Sequence, residues 1–199
     1  MTYSLTRYKN YQEYLDDESL APHGNYRLLS TGELIEVAEE NDLHIGIALQ
    51  LLLLLAKIEG GIYAGRLRNG NREIQVRPVG DNWVNRKPDL VVLQPEHLKT
   101  TRPTVLLDSV PPLFVAEVVS PGGENSDNYQ RDYVWKRQQY EELGILEYWV
   151  IDPHRERITV LVLIKGAYKE TVYQGDERIA SSAFPGLMIT AEAILNSDR

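Results

Sequence analysis

The chain has no cysteine. Disulfides, thiolate catalysis and cysteine-ligated zinc are therefore excluded. Histidine is scarce: His23, His44, His97 and His154 are scattered and lack zinc-site spacing. There is no nucleophile elbow, no phosphate loop and no dinucleotide fingerprint. Ser120 has no triad that can be read around it. Long apolar runs are missing too. The greasiest stretch, Ile45 to Ala56, includes LLLLL at 51–55, is interrupted by Gln50, and is followed at once by Lys57 and Glu59. It falls far short of the ~20 residues a membrane span needs, so it reads as a buried helix. The first twenty residues set Tyr3, Tyr8, Tyr11 and Tyr14 among charges with no apolar run. That predicts no secretory leader, no membrane partner and a cytoplasmic location.

Positive charge is also short. The net charge of −8 and pI near 5.1 argue against a generic nucleic-acid binder, whose affinity rests on phosphate contacts. The distribution softens this. Residues 63–102 carry 8 Lys/Arg against 4 Asp/Glu, while the segments on either side are acidic. Arg66, Arg68, Arg72, Arg77, Arg86 and Lys87 supply most of that excess.

What remains is an ordinary globular composition: 199 residues, 43% hydrophobic and 25% charged. This suits one domain with a real core. Residues 1–24 read as a polar, tyrosine-rich arm and 25–199 as the domain. A helix is predicted from about 39–42 to 58, stopped by Gly60-Gly61. Strands are predicted at 62–67, 73–79, 89–93 and 113–119. A second helix fits 128–143, ended by Gly144. A strand at 147–151, a hairpin over 157–164 and 167–174, and a short helix at 190–195 capped by Thr190 complete the chain. The order describes a mixed α/β domain around one sheet.

Two acids break the rule that charges stay out of buried strands. Asp89 opens DLVVL, and Glu117 sits inside LFVAEVV. An unpaired buried carboxylate costs several kcal/mol. A hard divalent cation such as Mg²⁺, which takes oxygen ligands, would offset that cost if the two strands are neighbours. The competing readings are backbone N–H groups satisfying Asp89 and a core-edge arginine pairing with Glu117. On the second helix, Asp132, Lys136 and Tyr140 are spaced i, i+4, i+8 and share a face. Alone, that spacing describes an ordinary surface ion pair.

Pro88-Asp89-Leu90, then Glu117-Val118-Val119-Ser120-Pro121, RDYVWKRQQYEELGILEYWVIDP at 131–153 and Phe184-Pro185-Gly186-Leu187 occur in one order. In that order they resemble the Uma-type restriction-endonuclease-like family, a branch of the PD-(D/E)XK nuclease superfamily, over roughly residues 25–195. The resemblance implies a restriction-endonuclease-like core of helix, three strands, helix and strand, with a mixed sheet and an added C-terminal hairpin. It implies a metal site of Asp89, Glu117 and the Val118 carbonyl, loaded with Mg²⁺ or Mn²⁺. The superfamily lysine two residues after the glutamate is replaced here by Val119. The Uma-type branch resembles nucleases whose lysine has migrated to the following helix, which implies Lys136 as the third catalytic residue beside Asp89 and Glu117. Asp132, Tyr140 and, more loosely, Glu40 are implied as supporting residues.

The expected activity is metal-dependent endonucleolytic hydrolysis of nucleic acid, with DNA the favoured substrate and the basic 63–102 segment meeting its backbone. A homodimer would suit cleavage of both strands. The alternative is a nuclease-fold protein that binds nucleic acid or a partner without cutting. The acidic balance and the missing lysine at Val119 favour it.

Overall fold

The computed structural model describes residues 7–20, 24–37, 42–100 and 103–196. Helix α1 (Tyr11–Leu15) is capped by Asn10, whose side chain accepts the Glu13 N–H. Strands β1 (Tyr26–Leu28) and β2 (Leu34–Glu36) form an antiparallel pair. The tyrosine-rich arm packs against them: Tyr8 and Tyr14 are buried in a small cluster with Leu28 and Leu34. Their hydroxyls reach Asp17 and Glu73, so each ring is buried without stranding its polar tip.

Helix α2 (Asp42–Ala56) is the greasy run, and its Ile47, Leu51 and Leu55 are fully buried. The strand predicted at 62–67 does not form. The chain instead makes two 3₁₀ turns, Ile58–Gly61 and Ala64–Arg66, before β3 (Leu67–Asn69). Three glycines at 60, 61 and 65 weaken strand formation, and Gly61 takes a left-handed φ of 86°. Strands β4 (Glu73–Gln75), β5 (Asn85–Arg86), β6 (Leu90–Val92), β7 (Thr104–Val105) and β8 (Phe114–Val118) follow. The next helix, α3, starts as α over Asp127–Tyr129, widens to a π-helix over Gln130–Trp135 and returns to α over Lys136–Leu143. Gly144, at φ 78°, ends it in the left-handed conformation its C-terminus requires. Strands β9 (Glu147–Asp152), β10 (Arg157–Ile164) and β11 (Ala167–Gln174) and helix α4 (Ala191–Leu195) complete the order.

The main sheet runs β11-β10-β9-β8-β6-β3, with β8 and β9 parallel and the other neighbours antiparallel. The segment α2–β3–β6–β8–α3–β9 is the helix, three strands, helix, strand core, and β10–β11 is the added hairpin. The predicted strand at 73–79 lies elsewhere. Its first residues form β4, in a separate three-stranded sheet ordered β5-β4-β7.

Alternation along the central strands sorts their side chains between two layers. Leu90, Val92, Phe114, Ala116, Val118, Trp149 and Ile151 join the α2 layer. Val91, Leu93, Val115, Val119, Tyr148 and Val150 join the layer under α3, with Tyr140. The same period of two puts Asp89 and Glu117 on the α3 side. Among the described residues, no helix is long and apolar enough to cross a membrane.

Candidate active site

The register of β6 with β8 pairs Leu90 with Ala116. Carried one residue further, it brings Asp89 level with Glu117, and opposed side chains on antiparallel strands lie about 5 Å apart at Cβ. Both line one cavity of about 310 Å³, and both are buried, at 4% and 3% exposure. An Asp89 carboxylate oxygen accepts the Val118 N–H, so the backbone reading of Asp89 is met in part. Val118 also borders the cavity, although its side chain packs in the opposite layer. What it presents to the cavity is backbone.

Glu117 is held from α3. Lys136 Nζ lies 2.8 Å from Oε2, and the Tyr140 hydroxyl donates to Oε1 at 2.6 Å. The cation is therefore a lysine one helix away, not a core-edge arginine. Lys136 also contacts Asp132 Oδ1 at 2.9 Å. The shared helix face of Asp132, Lys136 and Tyr140 thus points at the sheet and not at solvent.

The π-helical stretch positions this face. Its wider turn ends with the Lys136 N–H bonded to the Arg131 carbonyl, five residues back. The Tyr148 hydroxyl takes the Asp132 carbonyl, and the Asp132 carboxylate accepts from the Ser120 N–H and from Arg131. Such widened turns often occur at functional sites. Gly80, at φ 60°, lets a neighbouring turn lie flat on Trp135, where a Cβ would stand 2.1 Å from the ring. That turn carries Asp81, which clamps Arg86 through both oxygens at 2.9 and 3.0 Å.

The charges are strongly coupled. Burial alone would lower the Lys136 pKa, but Asp132 and Glu117 outweigh it and hold the ammonium above its ordinary value. Burial would raise Asp132, yet Lys136 and Arg131 keep its carboxyl below the usual range. Burial, then Glu117, pushes the Tyr140 phenol well up, so it stays a hydrogen-bond donor.

Most of the basic residues of 63–102 do not line this cavity. Arg66 binds the Leu93 carbonyl, Arg68 binds those of Gly65 and Leu67, and Arg77 is exposed. Only Arg86 and Lys87 of that group border the cavity, joined by Arg27 and Arg131. Sequence reasoning passed over Arg27, which lies 62 residues before Asp89 and belongs to no motif. Arg131 stood inside a quoted motif without a role. Glu40 lies outside the described residues.

The donors suit a hard cation in kind: two carboxylates and backbone, with no sulfur. Among the described residues, no group of three or more His, Cys, Asp or Glu side chains is placed to hold a metal. Mg²⁺ does not require one, since it is usually bound through one or two carboxylates and keeps several waters.

The mixed sheet between two helix layers, with its helix, three strands, helix, strand order, is a restriction-endonuclease-like fold. A solved structure from Anabaena variabilis, described as a "putative nuclease belonging to DUF820", shares that fold. It matches with a TM-score of 0.60 over 86% of this chain and 90% of that one, at 13% identity. Over residues 11–192 the sequence matches the Uma2 family, described as "Putative restriction endonuclease", and the chain belongs to that family. No curated protein matches it.

Proposed function

We propose that this protein is a Mg²⁺- or Mn²⁺-dependent endonuclease that hydrolyses phosphodiester bonds of DNA. The observation that carries the reading is the placing of Asp89 and Glu117 at one cavity, with Lys136 on Glu117. Asp89, Glu117 and the Val118 carbonyl would hold the ion, which would supply a Lewis acid for a phosphoryl oxygen and acidify water.

The protein's own groups do the rest. Asp132 and Glu117 hold the Lys136 ammonium above its ordinary value, which suits it to act as a positive charge for the negative charge that builds on phosphate. Asp132 orients Lys136, and Tyr140 orients Glu117. Family membership supports the reaction class.

The test is cleavage of single- and double-stranded DNA with Mg²⁺ and with Mn²⁺. Cleavage should stop with chelator and be absent in Asp89→Ala. Activity equal to that control sinks the proposal.

A second reading, binding without cleavage, is favoured by one observation: Glu117 is already neutralised by Lys136. Calorimetry showing DNA binding with Mg²⁺ and no turnover would establish it.

A further inference from the structure

Five cations border the cavity, and they are not alike. Arg86 is clamped by Asp81, Arg131 by Asp132, and Lys136 by Glu117 and Asp132. Arg27 and Lys87 make no ion pair among the described residues. Arg27 Nη1 donates only to the Asn25 side chain and the Tyr26 carbonyl, at 2.8 and 2.9 Å. Its Nε is buried with no hydrogen-bond partner among the described residues, and the residue is 8% exposed. Lys87 Nζ donates to the Gly24 carbonyl at 2.8 Å.

A guanidinium this buried, paired only with neutral oxygens, is costly to maintain. It is also built in. Arg27 lies over the Trp83 ring, 5.6 Å from its centroid, and Arg86 lies closer to the same ring at 4.9 Å. The nearest acid of the small sheet, Glu73, is occupied by the hydroxyls of Tyr11 and Tyr14. The fold thus keeps a positive charge at the cavity and commits the local carboxylate to other donors.

We propose that Arg27, with Lys87 beside it, forms an anion subsite for a phosphodiester group of the nucleic acid, a neighbour of the phosphate at Asp89 and Glu117. Guanidinium suits this ligand because its donors form a planar fork that matches phosphate oxygens. The subsite rests on the nuclease reading and adds a substrate-positioning residue to it. Arg27 would set the register of the strand and take no part in bond breaking.

The test is binding of a fluorescein-labelled single-stranded DNA 12-mer, in chelator, across a salt series. The proteins are wild type, Arg137→Gln, Arg27→Gln and Lys87→Gln. Each phosphate contact adds about 0.7 to the slope of log affinity against log salt for a single strand. Arg27→Gln is expected to lower that slope by about one contact and to weaken binding about tenfold. Arg137→Gln, a cation paired with Glu170 and outside the cavity lining, should keep the wild-type slope. An unchanged slope in both Arg27→Gln and Lys87→Gln overturns the subsite.

Thermal melting guards against a folding artefact. Arg27→Gln should keep the wild-type circular-dichroism spectrum and a cooperative melt above the assay temperature. A lowered slope then reports a lost phosphate contact and not unfolding, and a wild-type slope in the folded variant counts against the subsite. If wild type binds no DNA, the nucleic-acid reading fails, and inorganic phosphate then decides the subsite alone. Phosphate stabilisation of wild type that is lost in Arg27→Gln supports it, and no stabilisation overturns it.

Discussion

Glu117 and Glu147 sit on neighbouring strands, β8 and β9, and are almost equally buried, yet they are different kinds of residue. Glu147 accepts from the Trp149 indole and the Ser181 hydroxyl at 2.7 Å each, and from the Ser182 and Ala183 N–H groups at 2.6 and 2.9 Å. It ties the loop before Phe184 to the sheet, on the α2 side. Glu117 has two partners, both from α3, and it borders a cavity opposite a second carboxylate. Burial of an acid therefore does not mark a site. Glu147 is saturated by fixed donors and faces none of the cavity that Glu117 and Asp89 line, which makes Glu117 the candidate for chemistry.

The comparison breaks most sharply on cleavage. On the proposed function, Glu117→Gln is expected to lower the rate about 10³-fold, since several kcal/mol of transition-state stabilisation would pass through a metal held there. Its circular-dichroism spectrum should match wild type. Glu147→Gln should do the reverse. It replaces an acceptor with donors facing donors, so stability should fall by about 2–3 kcal/mol in denaturant titration. Cleavage per folded molecule should be unchanged; loss of cleavage there would erase the distinction.

Lys136→Gln is expected to reduce cleavage about 10²-fold, the usual scale for removing one charge-stabilising group. It also changes how stability depends on pH. The folded pKa of Lys136 is raised, so its stabilisation is full below its unfolded value near ~10.4 and is lost as pH rises through the folded value. Asp132 is depressed, so its stabilisation is present above its unfolded value near ~3.9 and lost as pH falls through the folded value. Melting temperatures against pH should therefore lose the alkaline fall in Lys136→Gln and flatten at the acid end in Asp132→Asn. The smallest effect should come from Arg137→Ala, next to Lys136 in the chain but outside the cavity lining. Its ion pair with Glu170 is solvent-exposed, so unfolding free energy should change by less than about 0.5 kcal/mol.

Much of this fold was legible because strong local patterns carried it. The mostly apolar run at 45–56, the glycine after Leu143 and the hairpin around Lys165-Gly166 each report a backbone preference that neighbours do not override. The elements misread were those where the pattern was short. Residues 62–67 hold too few alternations to outweigh Gly65 and the two glycines just before them. Residues 73–79 carry strand character but no information about which sheet they join.

The same divide runs through the site. Asp89 and Glu117 stood out as acids in apolar strands, but so should Glu147 and Asp152, which are also fully buried. The sequence alone determined that carboxylates would be buried on central strands, and that Asp132, Lys136 and Tyr140 would share a helix face. Both follow from side-chain period, which is local. Only the tertiary structure decided which carboxylate meets which partner. The β6–β8 register sets Asp89 against Glu117, the π-helical turn aims Lys136 inward, and the β1 hairpin brings Arg27 across to the same cavity. Those pairings depend on contacts between residues 19 to 90 positions apart, and no local preference encodes them.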